Sequence, residues 1–136
     1  MTITCVLIIE YKKSFLLQLR DNKKNIPEMN KWGFFGGKKE KTESNVKCIK
    51  REILEELNYK ISKPFYIGKI KHKKYLINIF FKKTRRKSFK INEGSGYGFF
   101  KKSQIINNNC KLKSSGKKYL LGKSSLKVFK YFTNKS

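Results

Sequence analysis

Glu52, Glu55 and Glu56 crowd three carboxylates into one short stretch of a chain that is otherwise poor in acid. A helix turns about 100° per residue, so positions three and four apart share a face. In a helix these glutamates line one side, and Val46, Ile49, Ile53 and Leu57 form a neighbouring apolar stripe that reads as core. Carboxylates this close repel one another. A hard divalent cation removes that penalty. Mg2+ prefers oxygen ligands, retains several waters, and sits between a few carboxylates and substrate phosphates. The competing explanation is a solvated acidic face, the usual fate of a charge run. The distribution of acid opposes it. The chain carries 34 Lys and Arg against nine Asp and Glu, a net charge of +25. Five of the nine acids (Glu40, Glu43, Glu52, Glu55, Glu56) fall within residues 37–59, and only Glu93 follows Leu57. A negative island in a basic molecule supplies carboxylates for a cation and Lys and Arg for phosphates.

The elements that must position these groups follow from periodicity and turn residues. Thr2 to Ile9 is apolar and β-branched, a central strand. Tyr11-Lys12-Lys13 is a tight turn and Ser14 to Arg20 its hairpin partner. Lys31 to Phe35 is a short strand entering Gly36-Gly37. The acidic helix spans about Ser44 to Leu57, with Glu43 ahead of it where a carboxylate can cap free N–H groups. Asn58 follows, the residue next to Gly in tolerance of a left-handed helix end. Strands are expected over Phe65 to Lys71 and Tyr75 to Lys82, with a turn at His72-Lys73-Lys74, and again over Ser88 to Asn92. Gly94, Gly96 and Gly98 mark a flexible segment. Phe99-Phe100 end a strand, Ser103 to Ile106 form a short helix, and Ser124 to Phe132 form a C-terminal helix. The fold class is α/β (α+β), a mixed sheet covered by helices.

The spacing G-x5-E-x7-R-E-(aliphatic)-x-E-E over Gly37, Glu43, Arg51, Glu52, Ile53, Glu55 and Glu56 resembles the Nudix box, here residues 37–59. Asn58 stands where the family usually has Gly, and Tyr59 where it has an aliphatic residue. The similarity extends outward to the apolar first strand, a second strand ending in Arg20, and Trp32-Gly33-Phe34-Phe35-Gly36-Gly37 before the box, with Phe35 in place of Pro. The resemblance implies a single α/β/α sandwich over residues 1–136 that hydrolyses phosphoanhydrides with Mg2+ or Mn2+. By match of position, it implies Glu52, Glu55 and Glu56 as metal ligands with the Gly37 carbonyl, Glu43 as a supporting acid, and Arg51 as the residue that holds the carboxylates. Arg20 matches a phosphate contact of some members. An acid outside the box, ahead of the last helices, often serves as general base, and Glu93 is the candidate from that half of the chain. The substrate implied is a nucleoside triphosphate or a nucleoside diphosphate derivative.

Several residues keep two readings. Phe34, Phe35 and Tyr97 can stack a base or pack a core. His72, the only His, reads as an exposed turn residue. Cys48 reads as packing rather than as a nucleophile. Cys5, Cys48 and Cys110 form no zinc pattern and read as free thiols of a reducing compartment. No apolar run approaches the roughly 20 residues of a membrane span, and no signal peptide is recognisable, so a cytoplasmic monomer or homodimer is expected. The basic charge invites a nucleic-acid partner, and an RNA-binding or RNA 5'-triphosphate-processing protein is the alternative function. Only four of the 34 basic residues are Arg, the better fork for phosphates and bases. Lys, Asn, Ile, Phe and Tyr are abundant together and share A·T-rich codons, so base composition accounts for much of the charge.

Overall fold

A computed structural model of the protein describes residues 1–20, 28–91 and 96–135. A sheet of seven strands lies between helices, in the order β3-β2-β1-β6-β5, with β4 on β1 and β7 on β2. The strands are β1 (Thr2–Tyr11), β2 (Ser14–Leu19), β3 (Trp32–Gly33), β4 (Phe35–Lys38), β5 (Phe65–His72), β6 (Tyr75–Lys83) and β7 (Gly96–Lys101). Helix α1 (Asn45–Leu57) follows β4, α2 (Lys102–Ile106) follows β7, and α3 (Lys123–Lys135) ends the chain. A small ribbon, β8 (Cys110–Lys111) and β9 (Lys118–Tyr119), lies between α2 and α3. β1 is parallel to β6; the other pairings in the large sheet are antiparallel. Among the described residues no helix is long and apolar enough to cross a membrane.

Strand alternation sends each apolar run to two cores. Leu7, Ile9, Leu16, Phe35 and Phe80 pack beneath α1 with Cys48, Ile49, Ile53 and Leu57. Their neighbours Ile8, Leu17, Phe34 and Ile79 pack on the opposite face with Val128 and Phe129 of α3. Both faces of β1 and β2 are therefore buried, which is why these strands read as continuous apolar runs.

Ser44 caps α1, its hydroxyl accepting from Lys47 N–H at 3.2 Å. The cap expected from Glu43 belongs to Ser44, because Glu43 is turned back onto Arg51. Asn58 adopts the left-handed conformation, φ 52° and ψ 33°. Val46 is 40% exposed and leaves the expected core stripe, since it lies in the first turn, beyond the sheet that covers Ile49 and Ile53. The strand expected over Lys31 to Phe35 divides at Phe34: β3 pairs with β2 and β4 with β1. No strand forms over residues 88–91, and Asn92 lies outside the described residues. There Phe89 leaves the sheet and packs among Tyr59, Phe99 and the Arg86 guanidinium. The described part of the glycine segment is a paired strand, β7, rather than a flexible link.

Candidate active site

The corner between β4 and α1 gathers the box residues. In the β1–β4 ladder Cys5 opposes Gly37 and Leu7 opposes Phe35, so Gly37 faces α1. A Cβ on Gly37 would overlap the Glu52 carboxylate, so the missing side chain is what lets α1 approach. Gly36 has φ 153°, and a Cβ there would enter the backbone of Cys5. The two glycines thus do different work: Gly36 lets β4 reach β1, and Gly37 seats a carboxylate.

Arg51 organises the acids. Its Nε and Nη2 donate to Glu43 at 3.0 and 2.6 Å, a two-pronged grip. Nη1 donates to Glu52 at 2.9 Å and lies 3.5 Å from Glu55, while Nη2 also reaches the Lys38 carbonyl at 3.1 Å. The Arg51 guanidinium holds the Glu43 carboxyl well down, to about 2, and Glu43 raises the guanidinium in turn. Glu56 points elsewhere. It is 7% exposed, and its oxygens accept from Gly36 N–H at 3.3 Å and Gln18 Nε2 at 3.4 Å. Gln18 also donates to the Phe34 carbonyl at 3.4 Å. A polar residue inside the run Leu16-Leu17-Gln18-Leu19 was the available signal for this contact, and the sequence reading passed over it.

Among the described residues no three His, Cys, Asp or Glu side chains already converge as a metal cage. Mg2+ does not require one, since it binds through one or two carboxylates, waters and substrate phosphates. Glu52, Glu55 and the Gly37 carbonyl offer only hard oxygen donors at one corner, with Glu56 a turn along the same helix. That donor chemistry fits a hard cation. The Cys48 thiol donates to the Gly37 carbonyl at 3.8 Å. Its hydrogen bond with Cys5 and its burial push the Cys48 thiol up, away from nucleophile chemistry.

A cleft of about 610 Å³ opens on the other face of the same corner. Gly36, Gly37 and Lys38 form one edge, and Phe34, Val6 and Ile77 form an apolar floor. Arg20, Glu28, Ser124 and Ser125 line one end, and the β5–β6 turn lines the other with His72, Lys73 and Lys74. His72 is therefore half-buried in a cleft wall rather than an exposed turn residue, because the hairpin folds back over Thr2. Phe34 reaches the cleft while stacked on Phe129. Phe35 is 1% exposed on the α1 side, so alternation removes it from any contact with a base. The Tyr97 hydroxyl accepts from Phe89 N–H at 3.1 Å, and its ring packs on the α1-side core, outside the cleft lining. Glu93 lies outside the described residues.

The profile of the NUDIX domain matches residues 1–111. The chain belongs to the Nudix family, hydrolases of phosphoanhydrides whose members generally require divalent metal ions. Its fold is similar to that of the MutT protein from Methanosarcina mazei Go1, with a TM-score of 0.77, 22% identity, and 98% of this chain and 93% of that one covered. It is similar also to the MutT NUDIX hydrolase from Burkholderia pseudomallei (0.74, 18% identity, 96% of both chains). The NUDIX domain of Shewanella oneidensis NrtR, solved with ADP ribose, aligns at 0.72 with 13% identity over 97% of this chain and 86% of that one. A comparison with curated protein sequences found no match.

Proposed function

We propose that this Nudix hydrolase is a Mg2+- or Mn2+-dependent pyrophosphohydrolase, a single domain acting in the cytoplasm on a nucleoside triphosphate or a nucleoside diphosphate derivative. One observation carries the reading: Gly36 and Gly37 line the cleft of about 610 Å³, and the Glu52 carboxylate lies directly behind Gly37. A base over Phe34 would direct its phosphates to the acidic corner. Glu52, Glu55, Glu56 and the Gly37 carbonyl would hold the metal. The cation supplies neutralisation of phosphate oxygens and a lowered pKa for a coordinated water.

The chain's own residues do the rest. Arg51 fixes Glu52 and Glu55 in place and keeps Glu43 ionised, so the corner is built before substrate arrives. Of Glu52, Glu55 and Glu56, Glu55 is the most open to solvent, its side chain 59% exposed. Glu56 is positioned by Gly36 N–H and Gln18. The proton of the attacking water passes to a box carboxylate or to Glu93.

The RNA alternative gains no support from the cleft. Four of its sixteen lining residues are Lys or Arg, the same quarter that 34 of 136 gives for the whole chain. The test is phosphate or pyrophosphate release from a nucleotide panel with Mg2+ or Mn2+, ADP-ribose included, beside salt-dependent RNA binding. Metal-dependent release from a small nucleotide is the expected result. RNA binding without hydrolysis of any small nucleotide would overturn the assignment.

A further inference from the structure

The cleft is no richer in cations than the chain, but it holds them unevenly. Its one acidic lining residue, Glu28, lies at the end with Arg20, Ser124 and Ser125. Lys73 and Lys74 stand at the opposite end with His72 and no acid. Both lysines are exposed, and among the described residues neither is in an ion pair.

A charge run is usually a solvated face. This one is tied down at the rim of a cleft. His72 pairs with Tyr75, so Lys73 and Lys74 make up the whole of a two-residue hairpin loop, with Lys73 at φ 53°. Thr2 N–H donates to the Lys74 carbonyl at 2.9 Å, and Lys127 Nζ of α3 donates to the Lys71 carbonyl at 2.6 Å. Lys74 Nζ lies 5.6 Å from the centre of the Tyr75 ring, which itself lines the cleft. A loop held from β1 and from α3 has little ordering left to lose when a ligand binds.

The ladders give the order of features along the cleft. On β1, Leu7 opposes Phe35, Val6 opposes Gly36 and Cys5 opposes Gly37, while Thr2 opposes Tyr75 of β6. Phe34 therefore lies to one side of the acidic corner and the lysine turn to the other. From Cys5 to Thr2 is three residues, so the levels of Gly37 and Tyr75 are roughly 10 Å apart at about 3.4 Å per residue. A nucleotide lying over Phe34 brings its phosphates to Gly37. Only a group attached beyond them reaches the turn. Lysine is a compact point charge and a common phosphate binder, and a phosphomonoester carries about −1.5 to −2 at pH 7. We propose that Lys73 and Lys74 form a subsite for a terminal phosphomonoester, so that the preferred substrate is a nucleoside diphosphate derivative whose second half ends in phosphate rather than a nucleoside triphosphate. This rests on the nucleotide reading above and narrows it.

The test is steady-state hydrolysis with Mg2+ of ADP-ribose and of ADP-ribose 1''-phosphate, which adds only a phosphomonoester on the distal ribose. In the wild type kcat/KM should be about tenfold higher for the phosphorylated compound, the gain lying mainly in KM. In the double variant Lys73→Gln, Lys74→Gln the ratio should fall to about one. The double variant Lys73→Arg, Lys74→Arg keeps the charge and should keep most of the ratio. Equal kcat/KM in the wild type, or a ratio that the Gln variant leaves unchanged, would overturn the proposal and leave the hydrolase reading standing. A ratio lost equally in the Arg variant would assign the effect to the shape of the turn and overturn the proposal as well. Hydrolysis of neither compound would also overturn it; if no other nucleotide is hydrolysed either, the hydrolase reading falls with it.

Discussion

The two faces of the β4 corner were assembled by different parts of the chain. On the α1 face, Gly37, Glu43, Arg51, Glu52, Glu55 and Glu56 lie within one turn-and-helix unit, and their spacing alone dictates who meets whom. On the cleft face, Thr2, Arg20, Phe34, Tyr75 and Ser124 come together from both ends of the chain. Local geometry writes the first arrangement into the sequence as a pattern. Only tertiary packing creates the second. The chemistry is therefore fixed locally while recognition is free to vary, which is what a scaffold serving many substrates needs.

The sharpest way to break that contrast is to neutralise an acid on the chemical face. Glu56→Gln retains shape and loses charge, so kcat should fall at least about 100-fold. Glu55→Gln should fall comparably. Gln at position 56 can still accept from Gly36 N–H, so the melting temperature should stay within a few degrees. Turnover within a few-fold of wild type in both variants would remove these residues from the mechanism.

The same contrast explains what was legible. The box helix, its Asn58 terminus and both hairpins followed from periods and turns. The aromatic pair did not. Phe34 and Phe35 are adjacent and alike in type, and only the division of β3 from β4 tells which faces the cleft. Gln18 and Glu28 were missed for a related reason. Each is a single polar residue whose partner lies 38 and 96 positions away, Glu56 and Ser124. No local spacing marks such a pair. His72 was misplaced because a Lys-rich turn looks solvated until its hairpin is docked.

Neighbouring glycines offer a second cut. Gly37→Ala places a methyl against the Glu52 carboxylate, a side chain that can swing away. Activity should drop about 10- to 100-fold by displacement of a group that supports the site, with a small change in melting temperature. Gly36→Ala meets backbone instead and should destabilise on the order of 2–4 kcal/mol. Paired assays of activity and thermal unfolding separate the two. Equal loss of stability in both would mean Gly37 serves only packing.

A smaller effect belongs to Glu43 and pH. Its carboxyl is held to about 2 by the hydrogen bonds to Arg51, whereas an unfolded Glu titrates near about 4.3. A depressed folded value means the contact's stabilisation is whole above the unfolded value. It is lost as pH falls through the folded one. The wild type should therefore lose more melting temperature between about pH 5 and pH 2 than Glu43→Gln does. Parallel curves for the two proteins would show that the Arg51 grip contributes nothing to stability.

The smallest expected effect tests where the box departs from its family pattern. Asn58 sits at φ 52°, and its N–H bonds to the Leu54 carbonyl at 3.0 Å. Glycine there would relieve left-handed strain but gain entropy when unfolded, and the two nearly offset. Asn58→Gly should alter stability by less than about 0.5 kcal/mol. Asn58→Val should cost about 1–2 kcal/mol, since a β-branched side chain is ill-suited to that conformation. Chemical denaturation of both variants reads the difference. A gain above 1 kcal/mol for glycine would show that Asn is tolerated here at a real cost; a neutral valine would show that the helix end is not held in the left-handed state at all.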